Sequence, residues 1–158
     1  MTAHIAHPIA PEVLKELRTA DDAGRPMAPF TDAEGGAPLR CCLRHSAPGE
    51  RIALVSYAPL RRWAAKTGAD PGAYDEQGPV FIHAEECPGP ADEVLPFTGS
   101  RRVLRRYSAD GRILGGRLVA EADAFPPALA AAFDDPEVAL VHVRAVEYGC
   151  FLYEVRRP

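Results

Sequence analysis

"VALVHVRAVEYGCFLYEVRR", residues 138–157, decides the kind of fold this chain adopts. Two runs rich in β-branched and aromatic residues, 138–145 and 150–157, flank the short connection "VEYG", where Gly149 supplies freedom in φ. The pattern is that of an antiparallel hairpin. Alternation along each run assigns faces: Val141 and Val143 point one way, His142 and Arg144 the other. On the second strand Phe151, Tyr153 and Val155 share a face, and Cys150, Leu152, Glu154 and Arg156 share the opposite one. Burial should join the valines to Phe151 and Tyr153 on the core side, leaving His142, Arg144 and Cys150 together on the other. With 145–149 as the loop, Arg144 is expected directly across from Cys150, Cβ atoms roughly 4.5–5.5 Å apart. A thiol beside a guanidinium is a setting for cysteine chemistry.

A second hairpin precedes it. "RRVLRRY" and "RILGGRLV" flank "SADG", in which Asp110-Gly111 carries the turn geometry. Upstream, "RIALVSY" (51–57) and "PVFIHA" (79–84) read as strands, the latter buried on both faces, and "LRCCLR" (39–44) as a short further strand. Helices are few and short: 10–20, with Pro11 near its start, 126–133, and a turn or two within "LRRWAAK". Residues 21–38 and 85–100 are loops rich in Pro, Gly or acidic residues. The expectation is an α+β protein: a mostly antiparallel sheet of about five to seven strands, with the helices on one face. Residues 1–37 form a helix and loop packed on a single domain spanning 38–158.

The totals bound the function. With 158 residues, 47% hydrophobic and 25% charged, the chain can bury a core without staples. A net charge of −4 argues against a nucleic-acid partner. No run of 18 apolar residues exists, so no membrane partner is expected, and the N-terminus lacks the layout of a secretory signal. The expected location is the cytoplasm, where Cys41, Cys42, Cys87 and Cys150 would be free thiols or metal ligands. "EGGAP" and "LGGRL" lack the strand–loop–helix setting of phosphate loops, so no nucleotide cofactor is expected.

Chemistry concentrates in two places. The first is the final hairpin, with His142, Arg144, Tyr148 and Cys150. The second is "FIHAEEC" (81–87), where a strand end delivers His83 and the following loop carries Glu85, Glu86 and Cys87. Cys41 and Cys42, if extended, would point to opposite sides and could not serve one site.

Together "LRCCLRHSAPGERIALVSYAP", "GPVFIHAEECPG", "RVLRRYSADGRIL" and "ALVHVRAVEYGCFLYEVRR" resemble the bacterial family known as domain of unknown function 1203, over roughly residues 38–157. The resemblance implies that the Arg40/Cys42/Arg44 region, His83 with Cys87, and the His142–Cys150 hairpin are recurrent features. Where the family pattern often carries a cysteine ahead of the arginine of "RCC", this chain has Leu39. The family carries no assigned activity.

Three functions stay open on the residues. In the first, a small-molecule enzyme uses Cys150 or Cys87 as nucleophile with His83 or His142 as base, while Arg40, Arg44, Arg144 and Tyr148 hold a small anionic substrate. In the second, His83, Cys87 and Cys42, with Cys150 or His142, hold zinc, or iron if Glu85 or Glu86 joins them. In the third, the cysteines are buried and inert and the chain is a binding module.

Overall fold

A computed structural model describes residues 4–157. Among these residues, eight strands form two antiparallel sheets, one of five strands and one of three, accompanied by three α-helices, so the protein is α+β and mostly sheet. In chain order the strands are β1 (Ala6–His7), β2 (Phe30–Asp32), β3 (Glu50–Tyr57), β4 (Gly78–His83), β5 (Arg102–Ser108), β6 (Ile113–Val119), β7 (Val138–Ala145) and β8 (Phe151–Arg156). The larger sheet runs β1-β8-β7-β5-β6 and the smaller β2-β3-β4. The strands expected at 51–57, 79–84, 138–145 and 150–157 and the Asp110-Gly111 hairpin are all present, divided between two sheets. Gly111, at φ +85°, makes the β5–β6 turn that a side chain would strain.

The helices are α1 (Pro11–Leu17), α2 (Pro59–Thr67) and α3 (Phe125–Asp134), each with proline in its first turn, where no amide is needed for the helix ladder. They do not share one face of one sheet. Phe125, Leu129 and Phe133 of α3 pack with Leu104, Val141, Val143 and Tyr153 of the larger sheet. Leu60 and Trp63 of α2 pack with Tyr107 and Leu140, and Leu140 points away from Val141. Val13, Leu14 and Leu17 of α1 join Ile52, Val55, Val80 and Ile82 of the smaller sheet. Cover on both faces is why β7 reads as a nearly unbroken apolar run: most of it is buried, His142 included.

Two local readings need correction. The β7–β8 register places Val143 opposite Tyr153 but Arg144 opposite Phe151, with an irregularity between them. This bulge at Leu152 moves Phe151 onto the His142 side, where the two rings meet at 4.9 Å between centroids. Arg144 therefore does not face Cys150 across the ladder. Ala145 instead takes the Cys150 carbonyl through its backbone amide, at 2.9 Å, as the hairpin closes. Phe151 leaves the valine side for the second sheet, touching Tyr57 and joining the apolar cluster of Leu39, Cys41 and Val80.

The second correction concerns 39–44, which is not a strand. Leu39 makes a single parallel bridge to Phe81, and the chain then turns back on itself through Arg40–Cys42. The Leu43 amide donates to the Leu39 carbonyl at 3.0 Å, and the Leu39 amide to the Arg44 carbonyl at 2.9 Å. Leu43 sits at φ +57°, a left-handed conformation that costs a branched side chain about 1–2 kcal/mol. Its burial among Ala6, Phe97 and Leu152 offsets that cost.

Candidate metal centre

The turn at 40–43 changes the part played by the paired cysteines. In an extended chain their side chains would diverge; here both point toward the end of β4, and Cys41 Sγ lies 4.0 Å from Cys42 Sγ. His83, the last residue of β4, aims Nδ1 at the pair, 3.4 Å from Cys41 Sγ and 3.8 Å from Cys42 Sγ. Cys87, on the loop that follows, completes the group. One ligand atom from each of Cys41, Cys42, His83 and Cys87 lies within 4.8 Å of every other. Cys41, Cys42 and His83 are buried; Cys87 is half-buried.

Backbone and side-chain groups around the cluster suit anionic sulfur. The His83 amide donates to Cys41 Sγ at 3.2 Å, and the Arg44 amide donates to Cys42. The hydrogen bond from Cys41 holds the Cys42 thiol below its ordinary value against the cost of burial, aided by the Arg44 amide and by His83 and Arg44. That shared proton, together with burial, pushes Cys41 up. On the far side of the ring, Nε2 meets Glu50 Oε2 at 2.8 Å, so Nε2–H donates to the carboxylate and Nδ1 keeps its lone pair toward the sulfurs. Glu50 is fixed in turn by both terminal nitrogens of Arg44, at 2.9 Å each, and by the Ala47 amide. Those bonds, Arg44 first, hold the Glu50 carboxyl well below the usual carboxylate range. A histidine oriented by a carboxylate is the arrangement found behind metal ligands.

The cluster is reached from two sides. Cys42, His83 and Cys87 line a cavity of about 330 Å³ with Arg44, Glu50 and Arg51. Cys41 and Cys87 line a groove of about 710 Å³ along α1. Cys87 forms part of both walls.

The residues singled out from the sequence distribute as follows. His83, Cys87 and Cys42 come together; Cys150 does not join them. Cys150 lines a different cavity with Arg144, Tyr148 and Phe151, and its thiol points to the Tyr148 carbonyl at 3.7 Å. His142 is 1% exposed between the rings of Tyr107 and Phe151, and neither ring nitrogen has a hydrogen-bond partner among the described residues. Burial, then Arg144 and Arg105, lowers its pKa well below the ordinary imidazole value. Arg40 is 2% exposed and spends its donors on the carbonyls of Phe151 (2.8 Å) and Pro38, which ties the turn to β8. Arg44 is engaged with Glu50, and Glu85 pairs with Arg51 at 3.1 Å. Neither Glu85 nor Glu86 is among the converging ligand atoms.

Sequence reasoning missed Cys41 and Glu50. The missing signal for Cys41 was a left-handed residue at position 43, which nothing in the composition of "RCCLR" announces. Glu50 becomes a partner of His83 only because β3 and β4 pair in a register that sets Ile52 opposite His83.

The chain belongs to the protein family of unknown function DUF1203, whose family model matches residues 36–157. That span contains all four converging ligands. No curated protein and no solved structure matches the chain.

Proposed function

We propose that the protein is a metal-binding protein that holds one zinc ion through Cys41 Sγ, Cys42 Sγ, His83 Nδ1 and Cys87 Sγ. The spacing of the first three ligand atoms carries the reading. A tetrahedral zinc with bonds of about 2.3 Å to sulfur and 2.0–2.1 Å to nitrogen needs edges of roughly 3.8 Å (S···S) and 3.5 Å (S···N). The separations of 4.0, 3.4 and 3.8 Å lie close to those edges. Cys87 then needs only a small movement of its loop to close the fourth position.

Zinc is favoured over an oxygen-ligated iron because the donor set is three sulfurs and one nitrogen, with Glu85 turned away to Arg51. Four protein ligands would leave no open position for substrate, which supports a structural or metal-carrying role over Lewis-acid catalysis. The ion would fasten the 40–43 turn to the 84–87 loop and so brace one end of the smaller sheet. A thiol enzyme centred on Cys150 draws less support. The His142 imidazole is sealed among aromatic rings, and His83 is committed to the Cys41–Cys42 pair.

The test is metal analysis of untagged protein prepared without chelator. One zinc per chain is expected, falling toward zero in Cys42→Ser and His83→Ala and unchanged in Cys150→Ser. Folded protein that carries no metal and takes up none from micromolar zinc would refute the reading.

A further inference from the structure

A cavity of about 160 Å³ lies between the two sheets, lined by Tyr57, Glu76, Gln77, Arg144, Tyr148 and Cys150 among others. Its polar wall is incompletely paired. The Arg144 side chain is only 13% exposed, yet only Nε makes a hydrogen bond, to the Gly149 carbonyl at 2.9 Å. Among the described residues its two terminal nitrogens make no hydrogen bond. The nearest carboxylate, Glu76, is 3.9 Å away. Glu76 is instead held by Arg105, at 2.5 Å. Two guanidinium groups therefore share one carboxylate.

The terminal nitrogens of Arg144 are not among the fully buried polar atoms, so their N–H groups open toward the cavity, where an oxyanion would meet charged donors. Burial, and Arg105 after it, lowers the pKa of Arg144, while Glu76 acts in the opposite direction. The fork of Arg144 fits a planar or tetrahedral oxyanion, since its terminal nitrogens present parallel donors. At the mouth stands Tyr148, 89% exposed, an aromatic ring with little of its surface covered, beside Gly149 at φ +70°.

We propose that this cavity is a binding site for a small oxyanion, a carboxylate or phosphate group, held by the terminal nitrogens of Arg144 with Glu76 as the internal carboxylate that competes for it. The site does not depend on the metal centre. The larger part of its charge comes from Arg144 and Arg105 on neighbouring strands of the larger sheet. Glu76 comes from the short connection between the turn at Gly72–Tyr74 and β4.

The experiment is titration of ¹⁵N-labelled protein with sodium phosphate and, separately, sodium succinate at constant ionic strength. The Arg144 Nε–H resonance and the Cys150 backbone amide report the site. A saturable shift is expected with at least one of the two anions, and which one saturates tells phosphate from carboxylate. Arg144→Gln should abolish saturation, while Glu76→Gln should tighten binding about tenfold by removing the competing charge. If Arg144→Gln does not fold, the Glu76→Gln result decides. Shifts that stay linear in both anions, or affinity that is unchanged or weaker in Glu76→Gln, overturn the proposal.

Discussion

The Nε2 of His83 lies 2.8 Å from Glu50 Oε2, and this contact decides how the imidazole can be used. With Nε2–H given to the carboxylate, only Nδ1 remains as a lone pair, and Nδ1 is the atom that faces Cys41 and Cys42. Glu50 sets the tautomer without approaching the sulfurs.

Glu50→Gln should therefore weaken zinc binding without removing a ligand. The neutral amide still accepts a hydrogen bond but no longer raises the ring's basicity or balances Arg44. A loss of about 10–100-fold in affinity is expected, read by competition against a chromophoric chelator. Affinity equal to that of the parent chain would detach Glu50 from the site.

Zinc should stabilise the fold in proportion to its occupancy. At 100 times its dissociation constant the gain is about 2.7 kcal/mol, visible as a rise in Tm that a chelator reverses. The rise should be large at pH 8 and shrink as pH falls toward 5, because protons compete with metal for the thiolates and imidazole. A zinc-induced shift of equal size at both pH values would contradict ligation by sulfur.

Thiol accessibility separates the four cysteines. In metal-free protein a brief alkylation should label the half-buried Cys87 and Cys150 and spare the buried Cys41 and Cys42. Zinc should protect Cys87 and leave Cys150 reactive, as peptide mass spectrometry would show. Equal protection of Cys87 and Cys150 would move the metal elsewhere.

His142 makes acid stability testable. Its folded pKa lies well below 6.5 because burial first, then Arg144 and Arg105, penalises the imidazolium, whereas the unfolded chain takes up the proton near 6.5. The stability conferred by the neutral ring is complete above about pH 6.5 and declines as pH falls below that value. Glu154, paired with His142 on β8, has its pKa raised chiefly by burial, so its own protonation acts in the opposite direction at lower pH. His142→Leu removes two unpartnered buried nitrogens and should stabilise the protein by about 1–2 kcal/mol. It should also flatten the decline below pH 6.5. Denaturant melts at pH 7.5 and 5.5 would reveal both effects, and a destabilised His142→Leu with unchanged pH dependence would show that the ring is used.

Arg40→Met keeps the length of the side chain but leaves the carbonyls of Phe151 and Pro38 without their donor. A loss of about 2–6 kcal/mol is expected, from roughly 1–3 kcal/mol for each of the two carbonyls left unpaired. Urea unfolding measures it; a change under half a kilocalorie would mean that water takes over both carbonyls.

What the sequence determined was what depends on local pattern. Period-two alternation and the Asp110-Gly111 turn specified the strands and their antiparallel pairing, because side-chain direction in a strand repeats every two residues. The placement of His83 at a strand end, with Cys87 on the loop after it, was legible for the same reason. What only tertiary structure decided were the departures from that period. The bulge at Leu152 turned Phe151 to the other face and put it, in place of Cys150, opposite Arg144. The turn at 40–43, closed by the left-handed Leu43, folded Cys41 and Cys42 to the same side. Such conformations are intrinsically unfavourable for the residues that adopt them and persist because distant packing holds them, around Ala6, Phe97 and Leu152 in one case and Tyr57 in the other. A local reading of residues contains no term for that packing. So the chain disclosed its strands, and the contacts between its two sheets decided which thiols meet the imidazole.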